Sequence, residues 1–213
     1  ASPFWKASGD AFREGEGKSF LAWYSRVLVE HGAAVMREAV KAIVEGGYKG
    51  APTDLALSVK VSGLHWHVMH PSRATEASAG YDCCSSDHAD AYRAIAGMLK
   101  EVAKESGHPV LFNFTCMEMN NWSNSMPHSN SAPEDLIAQV RRICVQQGVP
   151  LCGENALGFD PASGGWAFDQ MKKQARGWSE VGDRMHGLTL LRLDSNFVSN
   201  RSLVQLRKFT EEI

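Results

Sequence analysis

The chain has 213 residues, enough for one sizeable domain or two small ones, and enough to bury most of the apolar surface exposed when unfolded. Hydrophobic residues make up 44% and charged residues 22%, which excludes a disordered tail, a collagen-like fibre and a disulfide miniprotein. The formal net charge of −2 excludes a general nucleic-acid binder, which needs a basic excess.

Residues 1–17, rich in Gly and charge, read as a loop feeding a helix. Helical spacing then runs over 18–45, with Phe20, Trp23, Val27 and Val35 along one side and Arg26, Glu30, Arg37 and Lys41 among the polar positions; Gly46-Gly47 ends it. Leu55-Ala56-Leu57-Ser58-Val59 has strand length and ends in Lys60. The polar segment from Gly63 to about Asp87 is too long for a simple connection, and such loops in compact domains are usually functional. Tyr92, Ile95, Leu99 and Val102 mark a second helix, stopped by Gly107. A second strand, Val110 to Phe114, ends in Thr115 and is followed by a long polar loop, 117–132. Ser131-Ala-Pro-Glu134 is a capping-box signature with Pro in the first turn, and the helix behind it carries Leu136, Val140, Ile143 and Cys144 on one side before Gly148 stops it. Val149 to Gly153 is the third strand, with Pro150 suited only to its start, and Glu154 follows. A helix covers about 166–177. The fourth strand is Leu188 to Leu191 with Arg192 at its end, and Asn200 caps a last helix presenting Leu203, Leu206 and Phe209.

One helix followed by four strand–helix units predicts a parallel sheet with right-handed crossovers. An open doubly wound sheet and part of a (β/α)₈ barrel both fit. The doubly wound fold would bring a Gly-rich phosphate turn, and the chain holds neither GxGxxG nor GxxxxGK[ST]. The barrel is favoured by the strand ends: Lys60, Thr115, Glu154 and Arg192 stand at the C-terminal ends of four successive strands, the face that carries the chemistry of barrels. A closed barrel needs eight strands and typically about 250 residues, so the chain is expected to supply half of one.

The five cysteines, at 83, 84, 116, 144 and 152, form no CxxC pair, and a reducing compartment is the simpler reading. The N-x-S/T triplets at Asn113, Asn121 and Asn200 carry little weight as glycan sites, Asn113 lying inside an apolar run. No apolar stretch approaches 18 residues, so no membrane span is expected. A start at Ala1 without a signal-type apolar region points to a removed leader or to part of a longer polypeptide.

Each charged strand end has two readings. Glu154 serves as general base, acid or ligand, or else pairs with an arginine or caps the next helix. Lys60 and Arg192 hold an anion, a carboxylate or sugar hydroxyls, or else form structural ion pairs. Thr115 offers one hydrogen bond to a ligand or is only a strand residue. His65-Trp66-His67, with His70 nearby, raises zinc, but no further His or Asp at the other strand ends completes such a site. Trp66 beside His65 suits a sugar better, the ring stacking on a pyranose and the imidazole bonding a hydroxyl. The cysteines read as inert thiols, because reactivity needs a depressed pKa.

Six segments, Gly17-Lys-Ser-Phe-Leu-Ala-Trp-Tyr-Ser25, Lys60-Val-Ser-Gly-Leu-His-Trp66, Ala79-Gly-Tyr81, Asn113-Phe-Thr-Cys-Met-Glu-Met119, Gly153-Glu-Asn-Ala-Leu157 and Leu191-Arg-Leu193, resemble the β-amylases in family order. These are inverting glycoside hydrolases of the (β/α)₈ fold that release β-maltose from the non-reducing ends of starch. The resemblance runs from about residue 4 to the C-terminus and matches the second half of the family's catalytic domain, so residues 1–213 are expected to be the C-terminal half of the barrel.

The resemblance implies that Glu154 is the general base, that Asn155 and Ala156 line sugar subsites, that Lys60 and His65 bind substrate and that Trp66 is a pocket aromatic. It further implies that Thr115 is the inner-loop threonine that contacts substrate and that Arg192 binds substrate after the last strand. It implies no cofactor and no metal. The acid glutamate belongs to the first half of the family's barrel, and no residue of this chain matches it. The chain departs from the family at His67, where a second Trp is usual, at Asp82-Cys83 in place of Tyr-Asn, and after Leu157, where Gly158-Phe159 stands for the usual Pro-Arg-Tyr. The expected function is hydrolysis of α-1,4-glucan with inversion, with maltose or glucan as ligand, a missing N-terminal half-barrel as partner in cis or trans, and a plastid or the cytosol as compartment; neither nucleic acid nor membrane is an expected partner. The alternatives are a catalytically inactive β-amylase-like subunit or binding module, and a zinc hydrolase built on His65 and His67.

Overall fold

The computed structural model describes residues 14–62, 92–121, 132–159, 165–177, 183–192, 195, 197 and 199–213. Helix α1 spans Gly15–Glu45 and a 3₁₀ turn, Pro52–Asp54, leads to strand β1, Leu57–Val61. Four further helices and three strands follow: α2 (Arg93–Ser106), β2 (Val110–Phe114), α3 (Pro133–Gln147), β3 (Leu151–Glu154), α4 (Trp166–Arg176), β4 (Gly187–Thr189) and α5 (Asn200–Glu212).

The strands pair in the order β1-β2-β3-β4, all parallel. Sequential order separates the two candidate architectures. A doubly wound sheet reverses its strand order at a switch point; here every crossover steps to the next strand in the same direction. Right-handed connections of that kind lay all helices on one side of the sheet, as in a barrel wall. Burial agrees: Phe112 and Phe114 of β2 share one core with Leu99 and Val102 of α2, Leu136, Val140 and Ile143 of α3, Met171 of α4 and Phe209 of α5. The helices end where the sequence predicts. Gly107 and Gly148 adopt φ of 74° and 69°, the left-handed conformation that closes α2 and α3.

Several expectations need correction. The stripe Phe20, Trp23, Val27 and Val35 is not the buried face of α1: these four are exposed, and Leu21, Ala33 and Met36 are buried instead. At 100° per residue, Phe20, Trp23 and Val27 lie roughly half a turn away from the buried three. The helix is apolar on two sides, and the side turned to α2 is the other one. A bidentate ion pair from Arg37 to Glu105, at 2.7 and 2.8 Å, ties α1 to α2 there. Strand β1 begins at Leu57 rather than Leu55 and runs to Val61, so Lys60 lies inside it rather than at its end. Strand β3 begins at Leu151, after Pro150, and includes Glu154 as its last residue.

Strand β4 is Gly187–Thr189, so Arg192 stands three residues beyond it rather than at its end. The ladder stops early because the backbone N–H of Leu191 donates to Asn155 Oδ1, at 2.6 Å, instead of to a strand. At the N-terminus of α3 the capping residue is Ala132, not Ser131, and Glu134 exchanges hydrogen bonds with Asn121 in a reciprocal pair, at 2.9 and 3.0 Å. The cap of α5 is Ser199 rather than Asn200; its hydroxyl accepts from Ser202 N. On α5 Phe209 is buried, Leu206 half-buried and Leu203 exposed. The expected loop 63–87 and the stretch 122–131 lie outside the described residues.

Candidate active site

Parallel register determines which side chains share a face. Lys60 stands opposite Asn113, and Asn113 opposite Cys152. Alternation then sends Glu154, two residues beyond Cys152, to the same face as Lys60 and Asn113. That face is opposite the helices, since Leu57, Val59 and Val61 pack against the core shared with them. The long lysine stem spans from β1 to β3, and Lys60 Nζ forms an ion pair with Glu154 Oε2. Glu154 is buried, while the Lys60 side chain is 57% exposed. A buried carboxylate is costly without a counter-charge, and the ammonium supplies one. The bond links two of the residues that the sequence singled out at separate strand ends.

The turns after β2 and β3 are fastened to each other. Met117 N donates to the carbonyl of Glu154 at 3.2 Å. Glu118, only 2% exposed, accepts from Ala156 N at 3.0 Å and from Leu157 N at 2.6 Å, one amide on each carboxylate oxygen. Cys116 closes the first turn with φ of 72°, an uncommon conformation for a residue with a side chain, and its carbonyl accepts from Met119 N. Gly153 is required by close approach: a Cβ there would lie 2.7 Å from Leu188 Cδ2 and 2.8 Å from Met117 Cγ and Sδ.

Asn155 is fully buried. Its amide donates to Leu157 O at 2.9 Å and to Leu191 O at 3.4 Å while accepting from Leu191 N, so the side chain joins the turn after β3 to the segment after β4. Arg192, with φ of 59°, donates from Nη1 to the carbonyl of Ala156. Thr115 is half-buried at the end of β2. Lys60, Thr115, Glu154, Asn155, Ala156 and Arg192 are thus placed together at the C-terminal ends of the four strands. His65, Trp66 and His67 lie outside the described residues.

The thiols are poorly suited to nucleophilic work. Burial pushes Cys116 well above the usual thiol range, with the Glu118 charge adding to it and a hydrogen bond with Thr115 opposing it. Burial raises Cys144 to about 12, partly offset by the charge of Arg141, and raises Cys152 as well. All three are free and buried. Among the described residues no group of three or more His, Cys, Asp or Glu is gathered as a metal would need.

Glu118 lies within Asn113–Met119, one of the segments that resemble the family, yet the sequence assigns it no role. The available signal was an acidic residue between Met117 and Met119, in a stretch that is otherwise buried.

Comparison with known proteins shows which family the chain resembles. The model of glycosyl hydrolase family 14 matches residues 2–213. The chain is 37% identical over 192 residues to β-amylase 2, chloroplastic, of Oryza sativa subsp. japonica, covering 90% of this chain and 31% of that protein. It is 35% identical over 214 residues to the β-amylase of Medicago sativa, covering 98% and 39%. The crystal structure of the catalytic domain of β-amylase from Paenibacillus polymyxa superposes with a TM-score of 0.67 at 26% identity, over 98% of this chain and 44% of that one. The chain spans about two-fifths or less of the length of these curated relatives, and its four parallel units are consistent with part of a barrel. By the match along nearly its whole length, the chain belongs to glycosyl hydrolase family 14.

Proposed function

We propose that residues 1–213 form the C-terminal half of a (β/α)₈ catalytic domain and that, completed by a first half in cis or in trans, the domain hydrolyses α-1,4-glucan from its non-reducing ends. The observation that carries this reading is the buried Glu154 at the end of β3, facing the same side as Lys60 and paired with it. Inversion needs two carboxyl groups about 6.5–9.5 Å apart with a water between one of them and the sugar. Glu154 acts as the base: it takes a proton from that water as the oxygen attacks the anomeric carbon. An acid glutamate in the first half protonates the glycosidic oxygen as its bond to that carbon breaks. The new hydroxyl forms on the opposite face, and the product is β-maltose. Lys60, His65, Trp66, Thr115, Asn155, Ala156 and Arg192 hold the glucan, with Asn155 and Arg192 acting partly through the backbone they fasten. The chloroplastic rice relative supports a plastid, with the cytosol as the other compartment in keeping with reduced thiols.

The test is the chain completed by a first half-barrel and incubated with maltopentaose, the anomer of the released maltose being read by proton NMR. Glu154→Gln is expected to abolish hydrolysis while leaving maltose binding largely intact. Hydrolysis that survives this change would remove Glu154 from the role of base. A second reading, an inactive glucan-binding or protein-binding subunit, is favoured by the departures from the family pattern at His67, Asp82-Cys83 and Gly158-Phe159. A first half that lacks its acid glutamate would establish it.

A further inference from the structure

We propose that Glu118 is the positioning residue of the site: its carboxylate holds the turn 154–157 against the turn 115–119 and so determines where the Glu154 side chain stands. The inference rests on the reading of Glu154 as base, but the clamp is observed independently of it. Both oxygens of Glu118 are spent on consecutive backbone amides, those of Ala156 and Leu157, immediately after the residue to be positioned. A third bond, from Met117 N to Glu154 O, fastens the backbone of Glu154 itself. Bonds from backbone amides to an ionised carboxylate are charge-assisted and about twice as strong as neutral ones. The accepting carboxylate is itself buried, which strengthens both bonds, while Ala156 is half-buried and Leu157 exposed. The left-handed Cys116 lies two residues before Glu118, in the turn that aims its side chain at these amides. Backbone conformations of this kind persist where surrounding contacts over-determine them.

A carboxylate that only stabilised the fold would need no such placement. Two adjacent amides leaving the end of β3 are groups that water could satisfy in an open site. Glu118 satisfies them from within the protein and fixes the chain direction at the point where a general base must meet a water to within a fraction of an ångström.

The experiment replaces Glu118 by Gln and by Asp in the chain completed by a first half-barrel. The carboxamide of Glu118→Gln keeps one acceptor and turns an NH₂ against the second amide. Its kcat is expected to fall on the order of 10²-fold with KM changed less than about twofold, the effect of a misplaced reacting group. Glu118→Asp keeps both acceptors one methylene shorter and is expected to recover part of the loss. Hydrogen exchange at Ala156 and Leu157 gives a readout free of activity: both amides are expected to exchange at least about tenfold faster in Glu118→Gln, while core amides such as that of Val140 are unchanged. Unchanged exchange together with unchanged kcat would overturn the proposal, and so would a raised KM at full kcat. If the unsubstituted protein does not hydrolyse glucan, the proposed activity fails by itself, and the exchange rates at Ala156 and Leu157 alone uphold or overturn the clamp. If Glu118→Gln does not fold, Glu118→Asp is read by the same two measurements.

Discussion

Asn155 and Leu191, 36 residues apart in sequence, bond to each other twice: Leu191 N donates to Asn155 Oδ1 at 2.6 Å and Asn155 Nδ2 donates to Leu191 O at 3.4 Å. The same amide nitrogen also reaches Leu157 O at 2.9 Å. A primary amide is the one neutral side-chain group that offers an acceptor and two donor hydrogens in a fixed plane. Asp would keep the bond from Leu191 N but would turn a carboxylate oxygen toward two carbonyls.

Asn155→Asp is therefore expected to destabilise the chain by about 1–3 kcal/mol, the cost of leaving buried partners unsatisfied. Urea denaturation at pH 7 checks this. An unchanged midpoint would mean that the amide bonds contribute nothing net.

Gly153→Ala places a methyl group against Leu188 and the middle of the Met117 side chain, at distances that real Cβ atoms do not tolerate. A loss of about 1–3 kcal/mol is expected from overpacking. Because Met117 presents two atoms at 2.8 Å, Cγ and Sδ, against one from Leu188, Met117→Ala should relieve part of the loss when combined with Gly153→Ala. A double-mutant cycle of thermal or urea stabilities measures this coupling, and strict additivity would show that Met117 is not what Gly153 makes room for.

Glu134 governs part of the pH response. Burial pulls its pKa upward, but hydrogen bonds from Lys173, from Asn121 N and from Gln170, with the charge of Lys173, outweigh burial and hold the carboxyl below its ordinary value. A depressed folded-state pKa gives stability that is fully present above the unfolded value, about 4.3, and is lost as pH falls through the lower folded value. Glu134→Gln should cost about 1–2 kcal/mol at pH 7, and the gap from the unsubstituted chain should shrink toward pH 3. Urea titrations at both pH values test the sign, and a gap that widens on acidification would contradict it.

Much of the wall was legible in the sequence because it is built from local signals. The run Val110 to Phe114 is apolar at four of its five positions and reads as a buried strand with its true ends, and Gly107 and Gly148 mark helix ends that need a left-handed residue. What was misread depends on contacts distant in sequence. Leu190 and Leu191 look like strand residues, yet β4 ends at Thr189 because Asn155 takes the Leu191 amide. Helix α1 is apolar on two sides, and only its partner α2 decides which one is buried. Glu118 stands out locally only as an acidic residue between two methionines; what it holds is hidden from the sequence, since the amides are 38 and 39 residues away. Lys60 and Glu154 were found at strand ends, and the register of three strands explains why their charges meet.

The sequential strand order bears on how such a sheet is assembled. Each strand finds its partner in the next one to be synthesised, so none has to wait for a later segment to insert between it and its neighbour. Chain growth and sheet growth can proceed in the same direction, each βα unit docking on a ladder that already exists. The cost of bringing distant segments together is then met in short instalments, one crossover at a time, rather than in a single long-range closure.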